Sequence, residues 1–510
     1  MAAAGELLRG LGALGLPCFP VRPEGVSFVH SPLDLHAAIL DGAQTAQRRV
    51  GLAALYLGGG DAEHALVRAL AGGGAAREVR VLVDAHRAAR RERDGTSCLD
   101  VLAPLARHVD GGGGRHLDCR VSLLAVPLSR ASGLAAELLP SPTAEIIGVQ
   151  HMKLGVFDDT VLLSGANLAA NYWTRRQDRG MLVRDEPKLA SWAWELLGEL
   201  GGHAHTLRAR PDGAHALEPP ARPADAAAMA ASLHKLTARA AAAGAAPADA
   251  DADAGRCWVF PALQLPGGVA QDEAAALWLM RRAAGLVGSR HQTSRLPIAL
   301  SSPYLNLTDD YADALLSHTA GQPAGGRPAE HAAPTAPPPA ASPPPMILTG
   351  GDDANEFGRA GGLKAVVPTL YAAFEHALRA RAKGARAALA IRHWSRAGWT
   401  FHAKGLWVWP APRPTPAAPA DGAARTSSAH FADGPPVLTA VGSANFGARS
   451  VSRDSELCCY VVATDGPLRR RMADELGVIS AHARGADESP PPAAPGVLYR
   501  VIARIARSFC

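Results

Sequence analysis

The chain carries one short unit twice, and two copies that must fold alike constrain its architecture more than any other feature. Between Val149 and Gly180 it reads VQHMKLGVFDDTVLLSGANLAANYWTRRQDRG. From Thr400 to Glu456 it reads TFHAKGLWVW, a Pro/Ala-rich stretch, then VLTAVGSANFGARSVSRDSE. Each copy is His-x-Lys followed by Gly, an apolar run ending in Gly-Ala-Asn or Gly-Ser-Ala-Asn, and an acid. Asn167 to Asp178 and Asn445 to Glu456 have the same separation.

In an extended strand successive side chains point to opposite faces, so His151 and Lys153 share a face, as do His402 and Lys404. The runs VFDDTVLLSGAN and PPVLTAVGSAN are predicted to lay a second strand alongside and deliver Asn167 and Asn445 nearby. Lys and Asn donate to the oxygens of a tetrahedral phosphate without a metal. Imidazole attacks phosphorus and carries a proton near neutral pH. Two such sets facing each other supply a nucleophile, a general acid/base and four donors to a pentacoordinate transition state. That arrangement suits phosphodiester chemistry. The downstream acids Asp178 and Glu456 are placed to accept from an imidazole Nδ1 and fix its tautomer. Sequence leaves open whether each serves its own half or the other. No carboxylate cluster accompanies the donors, so neither a directly bound metal nor a cofactor is expected.

Around these units the chain alternates short Val/Leu-rich runs (RRVGLAALYLGGG, EVRVLVDAH, CRVSLLAVPL) with helical stretches such as AEHALVRALA. EAAALWLMRRAAGLV, LPIALSSPYL, YADALLSH and MILTGG repeat the rhythm later. The pattern predicts two similar α/β halves, 26–205 and 257–510. An Ala/Pro-rich linker is expected over 206–256, and disordered inserts near 320–345, 410–436 and 486–495. In the first 23 residues Arg9 and Arg22 face a lone Glu6 among several leucines, the pattern of a possible targeting segment over 1–25.

Several function classes drop out. A net charge of +5, from 52 Lys+Arg against 47 Asp+Glu, is too small for a nucleic-acid binder. Seven scattered cysteines without a C-x-x-C fit a reducing compartment and no structural zinc. The longest apolar run, Val50 to Gly60, stops at Asp61, too short to cross a bilayer. The glycine clusters at 58–60, 72–74 and 111–114 lack the flanks of a nucleotide-binding loop and are expected to be plain loops.

HMKLGVFD at His151 to Asp158 resembles the H-x-K-x-x-x-x-D motif of the phospholipase D superfamily, and FHAKGLW with GSANFGARSVSRDSE looks like its second copy. Within that superfamily the resemblance is to the CDP-diacylglycerol:glycerol-3-phosphate phosphatidyltransferases of eukaryotic mitochondria. It spans about Val26 to Phe509 and includes ALYLG at 54–58, VLVDAHRAARR at 81–91, SPYLNLT at 302–308 and LTGGDDANEFGRAGGLK at 348–364. Trp409 stands where the superfamily pattern has Asp, a departure that this synthase group shares.

The resemblance implies a mixed sheet flanked by helices in each half, with the active site at their interface. It implies transfer of the phosphatidyl group from CDP-diacylglycerol to glycerol 3-phosphate, committed to phosphatidylglycerol and cardiolipin, at a mitochondrial inner membrane to which the enzyme binds peripherally. By the same analogy His151 is the nucleophile and His402 the acid and base, while Lys153, Lys404, Asn167 and Asn445 hold the phosphoryl oxygens. The motif also puts Asp158 among the catalytic residues, although its odd offset from Lys153 takes it off the His/Lys face and favours a turn role. A phosphatidylserine synthase, or a phospholipase D-type phosphodiesterase using the same histidines, is the alternative.

Glycerol 3-phosphate brings a second phosphate, and Arg449 and Arg453 after Asn445 are placed to meet it or to form a solvated pair. The final VLYRVIARIARSF sets Arg500, Arg504 and Arg507 against Leu498, Val501, Ile502, Ile505 and Phe509. Such a helix suits an anionic leaflet or packing against the body.

Overall fold

The computed structural model describes residues 2–72, 77–92, 94–107, 118–126, 148–210, 215–244, 255–288, 294–319, 342–356, 367–412, 432, 434–485 and 496–509. The expected inserts near 320–345, 410–436 and 486–495 fall largely outside these residues.

Strands in the first part of the chain are β1 Phe19–Val21, β2 Val26–Val29, β3 Arg49–Ala53, β4 Glu78–Asp84, β5 Asp118–Leu124, β6 Leu154–Phe157, β7 Thr160–Ser164, β8 Arg176–Gln177, β9 Gly180–Val183, β10 His205–Ala209 and β11 His215–Glu218. Those in the second are β12 Cys257–Leu265, β13 Val269–Ala270, β14 Ile298–Ser301, β15 Met346–Gly350, β16 Ala390–Trp394, β17 Thr400–Phe401, β18 Gly405–Val408, β19 Leu438–Gly442, β20 Glu456–Ala463 and β21 Ala483–Arg484. One sheet runs β11-β10-β5-β4-β3-β6-β7-β9-β2, and the other, read from its far edge, β21-β16-β15-β14-β18-β19-β20-β12-β1.

From β10 to β2 and from β21 to β12 the two orders are the same, and so are the directions. β3-β4-β5 and β14-β15-β16 are parallel, and every other step is antiparallel. The repeat in the sequence is therefore a repeat of a whole mixed sheet.

The sheets meet face to face, which explains why their central strands read as nearly continuous apolar runs. Along β20, Leu457, Cys459 and Val461 enter the shared core with Val156, Leu163 and Met181 of the other half. The alternating Cys458, Tyr460 and Val462 enter the core on the far side. β7 divides likewise, Val161 and Leu163 inward and Leu162 outward. Helices cover both outer faces, which completes the expected α/β architecture.

Two expectations about boundaries change. The Ala2–Ala13 helix and β1 belong to the C-terminal half: Leu7, Leu8 and Leu11 are fully buried beside Leu279 and Met280, and β1 extends the sheet at β12. Glu6, the lone acid of that stretch, pairs with buried Arg282, with Oε2 2.6 Å from Nη2. Within 1–25, expected as a possible targeting segment, the Ala2–Ala13 helix and β1 thus supply core. Much of the supposed linker is also ordered. The Ala226–Ala243 helix buries Met229, Leu233 and Leu236 against the shared core, and alanines, the best helix formers, make up most of the rest.

Candidate active site

Each histidine hangs from the backbone of the opposite half. β17, just before His402, pairs in parallel with β8, just before Asp178, and the His402 N–H donates to the Gln177 carbonyl at 2.7 Å. Gln150, just before His151, bridges Ser455, just before Glu456, and the His151 N–H donates to the Ser455 carbonyl at 2.9 Å. These are the same contact made twice by pseudo-twofold symmetry.

The contact sets the acids. Asp178 Oδ2 lies 2.6 Å from His402 Nδ1, and both oxygens of Glu456 lie 2.9–3.0 Å from His151 Nδ1. Each carboxylate therefore orients the histidine of the other half, which settles the question that sequence left open. Glu456 also accepts from Ser450 Oγ at 2.8 Å, and Asp178 from the Arg179 N–H at 2.9 Å. Gly165 before Asn167 is glycine for want of room, since a Cβ there would stand 2.5 Å from Asp178 Oδ1.

Lys153 donates to the His151 carbonyl at 2.7 Å. Lys404 donates to the His402 carbonyl at 2.9 Å and lies against the ring, 2.9 Å from Nδ1. Burial pulls Lys153 down to about 7 and Lys404 down to about 8, against the opposing pull of Glu456 and Asp178. Burial likewise lifts Asp178 to about 6 and Glu456 to about 7, opposed by Lys404 and Lys153. Both imidazoles are held well below their ordinary value, by burial first and then by the lysine of their own half. Lys404 also acts on His151 and Lys153 on His402, so the two sets share one electrostatic environment.

Asn167 donates to the Tyr172 hydroxyl at 2.9 Å, and its Oδ1 is buried without a partner. Asn445 Oδ1 is likewise buried and unpartnered, while its backbone is pinned by Ser302 and Ser450. Arg449 grips Asp454 through Nε and Nη2 at 2.8 and 3.2 Å and is close enough to lower His151. Arg453 turns instead to Ser508 Oγ at 3.2 Å, so the expected arginine pair does not act as a unit.

Asp158 is not in the site. It occupies the turn between β6 and β7 with φ +51°, at the end of the strand remote from His151, about 20 Å away along an extended chain. Its carboxylate accepts from the backbone N–H groups of Gln47, Arg48 and Arg49 at 2.8–3.0 Å. Burial works against its charge, yet these donors hold it below the usual carboxylate range. The motif's acid thus fastens the entry to β3. Trp409, its counterpart, is buried, sends its indole N–H to the Gly434 carbonyl at 3.1 Å, and donates its own N–H to Pro297 just before β14.

Residues that sequence reasoning missed complete the frame. Asp84 accepts from the Gln150 N–H at 2.8 Å and Asp454 from the Val149 N–H at 3.0 Å, so two acids fix the approach to His151. Tyr172 and Tyr304 stand edge-on to His402 at 5.2 and 6.0 Å, and Arg176 lies over the Tyr172 ring. Asp454 was visible as the first acid of RDSE. Tyr172, Tyr304 and Arg176 had no periodic signal. His151, Asp454 and Glu456 offer ligand atoms within 4.8 Å of one another. Their oxygens are already engaged by His151, Ser450, Arg449 and the Val149 N–H, so this is a balanced ion network rather than an acidic cage.

Comparison with known proteins agrees with this geometry. No family model matches the chain. It is 28% identical to a CDP-diacylglycerol--glycerol-3-phosphate 3-phosphatidyltransferase, mitochondrial, from Gallus gallus and to one of the same name from Homo sapiens, over 90% of this chain and 78% of each relative. A probable enzyme of that name from Dictyostelium discoideum is 25% identical over 90% of this chain and 73% of its own. Among solved structures, phosphatidylserine synthase from Haemophilus influenzae superposes with a TM-score of 0.64 at 16% identity, covering 98% of this chain and 99% of the other. The fold is phospholipase D-like, and the family to which the histidine motifs pointed is the one these relatives carry in their names.

Proposed function

We propose that this chain is a CDP-diacylglycerol–glycerol-3-phosphate 3-phosphatidyltransferase, moving the phosphatidyl group to glycerol 3-phosphate and releasing CMP. The observation that carries the reading is the pair of histidines, each held at Nδ1 by a carboxylate of the opposite half, within one buried lysine-lined site.

With Nδ1–H donated to Glu456, His151 keeps its Nε2 lone pair for phosphorus, and burial keeps the ring neutral and nucleophilic. Nε2 attacks the diacylglycerol-bearing phosphorus of CDP-diacylglycerol, an N–P bond forms, and the P–O bond to CMP breaks. His402 gives its Nε2 proton to the departing oxygen. The donor's negative charge reverses the depression of His402 that burial causes in the empty site. The glycerol 3-phosphate hydroxyl then attacks the phosphatidyl-histidine as His402 takes its proton, and the N–P bond breaks. Glu456 offsets the imidazolium that exists between the two steps. Lys153, Lys404 and the amides of Asn167 and Asn445 hold the phosphoryl oxygens, and of Arg449 and Arg453 the former is the one near enough to assist. The protein works peripherally at a mitochondrial inner membrane, a placement supported by the mitochondrial names of its relatives and by the lipid nature of the donor. Among the described residues no helix is long and apolar enough to cross a membrane.

The test is purified protein with CDP-diacylglycerol in detergent, following CMP with glycerol 3-phosphate, serine or water offered separately. Release that requires glycerol 3-phosphate is expected. Dependence on serine, or equal release with water alone, would replace the reading with a serine acceptor or a hydrolase.

A further inference from the structure

Beside His402 the wall of the site continues into a groove to which the chemistry above assigns no role. Tyr304, edge-on to His402, stacks on Tyr371 at 5.3 Å, and Tyr371 meets Phe374 at 6.0 Å. Phe374 lines a cavity of about 590 Å³ between the helices Asp309–Ser317, Val367–Gly384 and Val497–Ala506. The chain leaving Tyr304 supplies more of its wall through Leu305 and Leu307. A series of ring contacts thus links the imidazole to the wall of the groove.

The rim has the opposite character. Arg500 and Arg504 line the cavity, and among the described residues neither guanidinium has an ion-pair partner. Asp309, the acid at this edge, is already paired with Arg381 and Arg507. The helix that carries the free arginines also exposes Tyr499, Val501 and Ile502, by 37%, 52% and 37%. An apolar groove of ligand-sized volume, rimmed by unpaired cations and by exposed apolar side chains, complements an amphiphile with an anionic head.

We infer that this groove receives an acyl chain of the phosphatidyl donor, with the Val497–Ala506 helix forming the lip that meets the lipid surface. The inference rests on the phosphatidyltransferase reading and extends it. A donor whose phosphorus lies against His151 and His402 must lead its glycerol ester chains out of the site, and the aromatic wall from Tyr304 to Phe374 is an apolar way out. Burying a chain there releases roughly 0.8 kcal/mol per methylene, so long-chain donors gain more than short ones.

The experiment fills the groove and reads chain-length preference. Ala377 lines the cavity and is exposed, so Ala377→Trp adds bulk without disturbing the core. CMP release is measured with dioleoyl and with dihexanoyl CDP-diacylglycerol at saturating glycerol 3-phosphate. The ratio of the two kcat/KM values, long over short, is expected to fall at least tenfold in the variant. If Ala377→Trp loses its thermal transition, Ala380→Trp, exposed one turn further along the same groove, gives the same readout. An unchanged ratio overturns the inference, whether both donors are unaffected or both fall together. An unchanged ratio with weakened vesicle binding assigns the groove to a leaflet lipid, and one with an altered oligomeric state assigns it to a second copy. Wild-type protein that releases no CMP from either donor sinks the phosphatidyltransferase reading and the groove with it, whereas wild-type turnover with an unmoved ratio sinks the groove alone.

Discussion

Asp178 Oδ2 stands 2.6 Å from His402 Nδ1 across 224 residues of chain, and Glu456 meets His151 across 305. Neither half holds its own histidine in a defined tautomer, so docking of the halves and assembly of the site are one event. Asp178→Asn replaces the acceptor with an amide that can present an N–H to Nδ1, turning the proton to the wrong nitrogen. It is expected to lower kcat by about two to four orders of magnitude with the thermal transition retained, and Glu456→Gln is expected to do the same. Full activity in either variant would show that the carboxylates only pack.

The two histidines should differ in what they leave behind. With labelled donor and no acceptor, rapid acid-free quenching is expected to trap the phosphatidyl group on His151. His402→Ala should still form that adduct, more slowly, while His151→Ala should form none. A labelled peptide containing His402 would exchange the two roles.

What could be read from sequence follows from what repeats. His-x-Lys and the spacing from Asn to the acid occur twice, so pairing of the copies exposed the histidines, the lysines and both acids. Strand periodicity exposed β3 to β7, β14, β15, β18 and β19 because each apolar run is bounded by Gly, Pro or a charge, whereas β16 and β20 went unread. Single-copy features carried no such signal. Tyr172, Tyr304 and Asp84 act through partners far along the chain. The leucines and Arg9 of the Ala2–Ala13 helix match the composition of a leader as well as that of a core helix, and only Arg282, hundreds of residues away, reveals what Glu6 pairs with. In the supposed linker, alanine content hid an apolar stripe of three larger residues, Met229, Leu233 and Leu236.

Asp158 offers a clean separation of fold from catalysis. Its carboxylate satisfies three backbone N–H groups at the start of β3, and an amide oxygen in its place serves them less well. Asp158→Asn is expected to lower stability by about 1–3 kcal/mol, seen as a lower urea midpoint, with kcat within about twofold of wild type. A tenfold or greater loss of kcat at full folding would return Asp158 to the catalytic set.

Arg179 ties the halves together through several partners at once. Its guanidinium is buried, pairs with Glu475, also donates to the Ala440 carbonyl at 3.0 Å and to Thr439 Oγ1 at 3.1 Å, and lies over the Trp407 ring. Gly405 after Lys404 makes the space, because a Cβ there would collide with Arg179 Nη1. Arg179→Ala strands the Glu475 carboxylate in the interior and is expected to cost about 3–5 kcal/mol. A denaturation midpoint equal to wild type would mean that the halves hold together without it.

The same burial that makes the histidines neutral sets a narrow pH window. Asp178 and Glu456, lifted to about 6 and about 7, must be ionised to hold their imidazoles, so activity climbs as pH rises through those values. Lys153 and Lys404, lowered to about 7 and about 8, must be protonated to meet phosphate, so activity falls as pH rises through theirs. Because kcat/KM reports the free enzyme, it is expected to peak near pH 7 and fall on both sides. In the complex the donor's phosphates favour the ammonium forms, so the alkaline limb of kcat should lie at higher pH than that of kcat/KM. Lys153 loses its proton first, so Lys153→Arg, which keeps a charged group at all these pH values, is expected to move the alkaline limb of kcat/KM upward even where the absolute rate drops. An alkaline limb that stays in place in that variant would mean that lysine deprotonation does not limit donor binding.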